Sequence, residues 1–197
     1  MSAITTERDG FRVLDVKGNG FPNGGPYVQS ADNEPERATF GAGVSGFTLG
    51  TAPTDILTIQ GAVGKVVRIK SIIINGNSGT TAAYPLLLIR RSSANTAGTS
   101  TAVTPTAHDT LDGSSAATVR YYTANASSLG TSVGTMHVGR LVAANAANLD
   151  RLALQYSWQN DKAIILRGAS DYLVLNMNGA SLSATTTLDI DLLWTEE

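Results

Sequence analysis

The sequence predicts an all-β protein: an antiparallel β-sandwich, a jelly roll of about eight strands, carrying an extended N-terminal arm. Three observations lead there. From Phe47 onward, short runs rich in β-branched and aromatic residues recur between turns containing Gly and Asn. Helical periodicity is missing nearly everywhere, and the one Ala-rich stretch, 141–149, is short and broken by Asn145 and Asn148. Residues 1–46 differ from the rest, holding three of the six prolines (Pro22, Pro26, Pro35) and a dense set of glycines.

The division that follows is an arm over 1–46 and a sandwich over 47–197. In the arm, Gly18-Asn19-Gly20-Phe21-Pro22-Asn23-Gly24-Gly25-Pro26 is built from turn formers that propagate neither a helix nor a ladder. Only 11–16 reads as a strand. The segment cannot make its own core, yet it carries isolated apolar anchors, Phe11, Leu14, Phe21, Tyr27 and Val28, which a purely solvated tail would not need. These five are the expected contacts to a partner.

In the sandwich, 55–60 is a short strand ended by Gly61. The next, 65–74, places Val67, Ile69 and Ile73 on one face and Arg68 and Lys70 beside Val66, Ile72 and Ile74 on the other, which begins half-solvated and becomes buried. Asn75-Gly76-Asn77-Ser78-Gly79 reads as a hairpin turn, because Asn and Gly tolerate positive φ. The return strand, 81–91, contains Pro85, which implies an edge or a bulge. Residues 92–117 form the longest irregular connection. Further strands are expected over 118–123, 132–142, 151–157, 163–167, 172–176 and 186–194. No solenoid or propeller repeat is present.

Composition narrows the function. Net charge is −2 and charged residues make up 15% of the chain, against about 25% in ordinary soluble domains. Lys and Arg form no cluster beyond Arg90-Arg91, which argues against nucleic acid as a partner. The neutral surface of small residues suits close packing against other protein copies. The absence of cysteine removes thiol chemistry. Neither the N-terminal residues nor the longest apolar runs, such as Leu86-Leu87-Leu88-Ile89, suggest a signal peptide or a membrane span, so a soluble protein is expected.

Candidate chemistry is thin. His108 and His137 lack local partners for a metal set, and His108-Asp109 are adjacent residues that seldom aim at one point. Gly41-Ala42-Gly43-Val44-Ser45-Gly46 matches a dinucleotide-binding glycine pattern, but no helix follows it, so it reads as a hinge between arm and sandwich. Asp189 and Asp191 share one strand face about 7 Å apart, a spacing open to a glycosidase pair or a hard cation, or simply to a solvated face opposite Leu188, Ile190 and Leu192. Trp158 and Trp194 sit at strand ends. Asp150-Arg151 and Arg167 with Asp171 read as ion pairs that pin loops or bridge subunits. No catalytic residue, cofactor or metal site is expected.

Two stretches carry a resemblance. Ala163-Ile164-Ile165-Leu166-Arg167-Gly168-Ala169-Ser170-Asp171-Tyr172-Leu173-Val174-Leu175-Asn176-Met177-Asn178-Gly179, together with the terminal Leu188-Asp189-Ile190-Asp191-Leu192-Leu193-Trp194-Thr195-Glu196-Glu197, resembles the last strands of small structural proteins of tailed bacteriophages. The resemblance covers 47–197 and implies a virion component, a jelly-roll head decoration (cement) protein sitting as homotrimers on major capsid protein subunits. The arm fits, since an extended segment can clasp neighbours. A second reading is a tail or fibre component that binds a host glycan through Trp158, Tyr121, Tyr122, Asp189 and Asp191. A third is a β-sandwich hydrolase using the Asp189/Asp191 pair.

Overall fold

The structure, a computed structural model, describes residues 7–8, 11–12, 37–144, 151–156, 162–183 and 185–197. The chain forms two compact units, Met1–Arg37 and Ala38–Glu197. In the first, β1 (Glu7–Arg8) and β2 (Phe11–Arg12) pair antiparallel with Arg8 opposite Phe11. The strand expected over 11–16 is thus described only at its first two residues.

The second unit is an antiparallel β-sandwich. One sheet contains β3 (Ala38–Thr48), β14 (Thr187–Glu196) and β5 (Val66–Asn77) side by side. Beyond β5 lie β11 (Arg151–Gln155) and β12 (Ile164–Arg167), which pair with its two halves in succession. The other sheet runs β10 (Ser132–Ala143), β6 (Ala82–Arg91), β13 (Tyr172–Asn176) and β4 (Asp55–Gln60). Counting β11 and β12 as one broken strand, these are eight strands in the jelly-roll order. The β6–β10 connection adds three more. Within it β9 (Thr118–Ala124) pairs with β4, β7 (Thr99–Val103) with β9, and β8 (Thr106–Ala107) with β3.

The core lies between the sheets, where Ile56, Ile69, Ile74, Leu86, Leu141 and Trp194 are fully buried. Each such aliphatic side chain stabilises the fold by about 1.5–3 kcal/mol. Trp194, near the end of β14, is fully buried, its ring stacked on Phe40 at 6.0 Å between centroids.

Several local expectations change for physical reasons. The 41–46 stretch is not a hinge: it lies inside β3, paired with β14, so the sheet takes in 38–46, which the sequence reading gave to the arm. A Cβ at Gly41 or Gly43 would stand 4.0 Å from the Leu192 or Ile190 carbonyl oxygen, an ordinary contact. It is therefore the pairing with β14, and not crowding, that holds these glycines in a strand. Ser45 and Gly46 bulge opposite Asp189, with Gly46 at φ +62°. In β5 the ladder skips Lys70 against β14, so the inward face switches and Val67, Ile69, Ile72 and Ile74 all enter the core, while Ile73 does not. Strict alternation cannot foresee that bulge.

Gly76 is in β5 rather than in a turn. A Cβ there would meet the Ala143 Cβ at 2.9 Å, so the glycine admits the β10 strand where it crosses over. Pro85 lies in the second strand of its sheet, not at its edge. At that level β13 has ended, since it pairs with β6 only from Leu87 to Arg91, so a residue without an N–H is tolerated. The 92–117 connection is less irregular than expected, because it contains β7 and β8.

Candidate functional site

The outer face of the β13 sheet carries a pocket. Alternation along β4, β9 and β13 turns Leu57, Ile59, Val119, Leu173 and Leu175 inward, and so turns Thr58, Gln60, Thr118, Arg120, Tyr122, Tyr172 and Val174 outward. The chain after β6 folds back over this face, and Ser93 to Ser100 close one side of a cavity of about 320 Å³.

A buried ion pair fastens that roof. Arg91 donates from Nε and Nη2 to the two Asp55 oxygens at 2.9 Å each, and from Nη1 to the Gly130 carbonyl at 2.7 Å. Asp55 also accepts from Asn95 Nδ2 at 2.9 Å and Asn176 Nδ2 at 2.6 Å. Asn95 Oδ1 in turn accepts the Gly130 N–H at 2.9 Å. With the Asp55 side chain 0% exposed and that of Arg91 6%, the pair sits out of water with its polar atoms matched. A backbone bond from Thr96 N–H to the Ser128 carbonyl at 2.9 Å ties the same loop to the chain before β10.

The lip of the pocket is strained. Ala97 has φ 56° and Gly98 φ 80°. Left-handed backbone costs a non-glycine residue roughly 1–2 kcal/mol. Gly98 has no alternative, because a Cβ would stand 2.6 Å from the Asn125 carbonyl oxygen. Such outliers persist where surrounding bonds over-determine the backbone.

The pocket is lined by polar and apolar atoms in equal measure and is cationic. Arg120 donates from Nε to Ser100 Oγ at 3.0 Å and from Nη2 to the Ser100 carbonyl at 3.4 Å. Its Nη1 makes no hydrogen bond, and no carboxylate pairs with it, among the described residues. The hydroxyls of Tyr122 and Tyr172 likewise bond to no described residue. Burial, and then the neighbouring Tyr122 phenol, push the Tyr172 hydroxyl above the usual phenol range, so it remains a donor at neutral pH.

A second feature is the edge strand β10. Its ladder to β6 skips Val133 and Met136, two bulges that leave Val133, Met136 and Val138 exposed. Val138 stands opposite Leu87, and Thr135 opposite Ile89, so the apolar surface continues from the edge onto the sheet. Bulges interrupt strand addition. This edge therefore offers side chains rather than a free ladder.

The residues singled out in the sequence are scattered. Leu14, Phe21, Tyr27, Val28, Trp158 and Asp150 lie outside the described residues, and of Phe11 only the backbone pairing is described. Asp189 accepts from Ser45 Oγ and Gly46 N–H, each at 2.7 Å, and so holds the β3 bulge, while Asp191 is exposed. Asp171 pairs with the Arg90 guanidinium, not with that of Arg167, which offers only its backbone N–H. Asp109 caps its own turn through Leu111 N–H, and the His108 backbone N–H bonds to Thr39. His137 lies part-buried beside Gly139. Tyr121 packs on Phe47 in the core, whereas Tyr122 faces the pocket. Among the described residues no three His, Asp or Glu cluster as a metal set, and no helix is long and apolar enough to cross a membrane.

Sequence reasoning missed Arg120, Tyr172 and Asp55. For Arg120 and Tyr172 the signal was available as the outward half of β9 and β13, but it needed the strand order to bring those halves together. Asp55 shares the parity of inward Leu57 and Ile59, and only the register shift at Ile56 turns it to the outer face. Comparison with protein-family models, curated proteins and solved structures found no match.

Proposed function

We propose that the chain is a non-enzymatic structural protein that works by assembly, a capsid decoration protein whose copies associate as trimers on a virion surface. The observation that carries the assembly reading is β10: an edge strand with Val133 62%, Met136 47% and Val138 69% exposed, in a chain of which only 15% is charged. Exposed apolar residues continuous with half-buried Leu87 and Ile89 form the kind of surface that marks contact with another protein. The occupant is a second copy of this chain, since a neutral surface of small residues does not repel its own like. The two bulges favour side-chain packing between copies over a merged sheet. Placement on a major capsid protein rests on the resemblance of the last strands, with the N-terminal residues as clasps.

Light scattering after size exclusion tests the assembly. A mass of about three chains of 20.5 kDa is expected, falling to one chain in Val133→Lys/Val138→Lys. A monomer in the unaltered protein refutes the trimer, and absence of the protein from purified particles refutes the decoration role.

A further inference from the structure

We propose that the pocket on the outer face of the β13 sheet binds an acidic sugar, a hexuronic-acid unit whose carboxylate pairs with Arg120 and whose ring hydroxyls meet Tyr122, Tyr172 and Gln60. The pocket and the β10 edge use different residues, although they adjoin on one sheet face, with Val174 of the pocket opposite Ile89.

Size, charge and polarity each constrain the ligand. A cavity of about 320 Å³ suits one or two rings, near the lower end of ligand pockets. Its lining includes two guanidiniums and no carboxylate. Arg91 is neutralised by Asp55, which leaves Arg120 as the single uncompensated cation. Arg120 is also pre-aimed, because Ser100 holds Nε and Nη2 and leaves Nη1 to bond outward. One uncompensated cation fits a monoanionic carboxylate better than a phosphate.

The rest of the lining asks for hydroxyls. Tyr122 and Tyr172 present two donors without protein partners, and Gln60 spends its Nε2 on the Ala169 carbonyl at 2.7 Å, so its Oε1 is available as an acceptor. Thr58 and Thr118 add hydroxyls on the same face. An apolar ligand would leave these groups unpaired and desolvated, at a cost, whereas a sugar satisfies donors and acceptors together. The roof is fixed in advance by the Asp55–Arg91–Asn95 bonds, so binding requires little further ordering.

The test uses the full chain and saturation-transfer NMR, with glucuronic and galacturonic acid as probes, glucose and galactose as neutral sugars, and acetate and inorganic phosphate as bare anions. Transfer to uronate ring protons is expected at probe concentrations of a few mM, about the range of a one-ring ligand, with neither acetate nor phosphate displacing it at equal concentration. Arg120→Gln should weaken binding about tenfold or more, and Tyr172→Phe, which removes only a hydroxyl, about two- to tenfold. Asp191→Asn, on the other sheet, should leave it unchanged. No transfer to either uronate overturns the proposal. So does displacement by acetate or phosphate as readily as by uronate, which would define a simple anion site. If Arg120→Gln proves unfolded, unchanged binding in folded Tyr172→Phe overturns the role of the pocket.

Discussion

Removing the carboxylate of Asp55 is the most informative single perturbation. Asp55 accepts four hydrogen bonds, two from Arg91 and one each from Asn95 and Asn176. Asp55→Ala leaves the Arg91 guanidinium, 6% exposed, with only the Gly130 carbonyl. Stripping one partner from a buried pair costs about 3–5 kcal/mol. At about 2–4 °C per kcal/mol for a chain of this size, that lowers the Tm by roughly 6–20 °C.

The usual rescue should fail here. Replacing both members of a buried pair by apolar residues is often neutral, but Asp55→Leu/Arg91→Met also strands the amides of Asn95 and Asn176 and the Gly130 carbonyl. Each stranded buried group costs about 1–3 kcal/mol. The double variant should therefore stay well below the unaltered protein in a urea melt followed by tryptophan fluorescence. A loss under about 1 kcal/mol in Asp55→Ala, or full rescue in the double variant, would refute the argument that this network fixes the loop against the sheet.

Three further outcomes are expected. Glu196 is buried, which alone would raise its pKa, but bonds from Ser115, Trp194 and the Ala116 and Ala117 N–H groups outweigh that and lower it. Its contribution to stability is therefore full above the unfolded carboxylate pKa of about 4.3 and lost as pH falls through the folded value; urea midpoints at pH 7 and pH 3 should converge in Glu196→Gln relative to the unaltered chain. Gly76→Val, which forces a side chain against Ala143 and Leu141, should cost about 1–3 kcal/mol or more by urea melt. Ala97→Gly should be neutral or stabilising by up to about 1 kcal/mol, while Gly98→Ala one residue on should destabilise, a contrast that thermal melts of the pair will show.

The fold was legible in the sequence because its strands are apolar runs punctuated by turn residues. Asp55–Gln60 and Tyr172–Asn176 are found where those runs and their flanking glycines and asparagines put them, buried along nearly their whole length. What failed was local and physical. β3 was hidden because Gly41, Gly43 and Gly46 look like a breaker until β14 lies beside them. Burial of Ile72 and Ile74 was expected, but on the face opposite Val67 and Ile69; one bulge at Lys70 brings all four to the same core. The pocket was least legible, for its members come from strands far apart in sequence and none forms a motif. Asp55 read as the polar start of a strand, and only its pairing with Arg91, 36 residues on, reveals a buried charge.

The β6–β10 connection is where this jelly roll departs from a bare eight-strand sandwich, and its construction bears on where function lies. A loop between two adjacent strands of one sheet could be short. Here it runs from Ser92 to Thr131, adds β9 and β7 beyond β4, adds β8 beyond β3, and still returns to β10. Widening both sheets explains the strands, since each extra pairing covers an exposed edge. It does not explain the polar investment. An edge cover needs no ion pair beneath it, no left-handed alanine at its lip and no guanidinium steadied by Ser100 with one face open. Because the pair is also tied to Asn95, Asn176 and the Gly130 carbonyl, apolar residues could not simply replace it. The network fixes one arrangement of the Ser93–Ser100 segment beside Tyr122 and Tyr172. Buried polar bonds arranged to hold a cavity open are the pattern expected of a binding site rather than of a spacer.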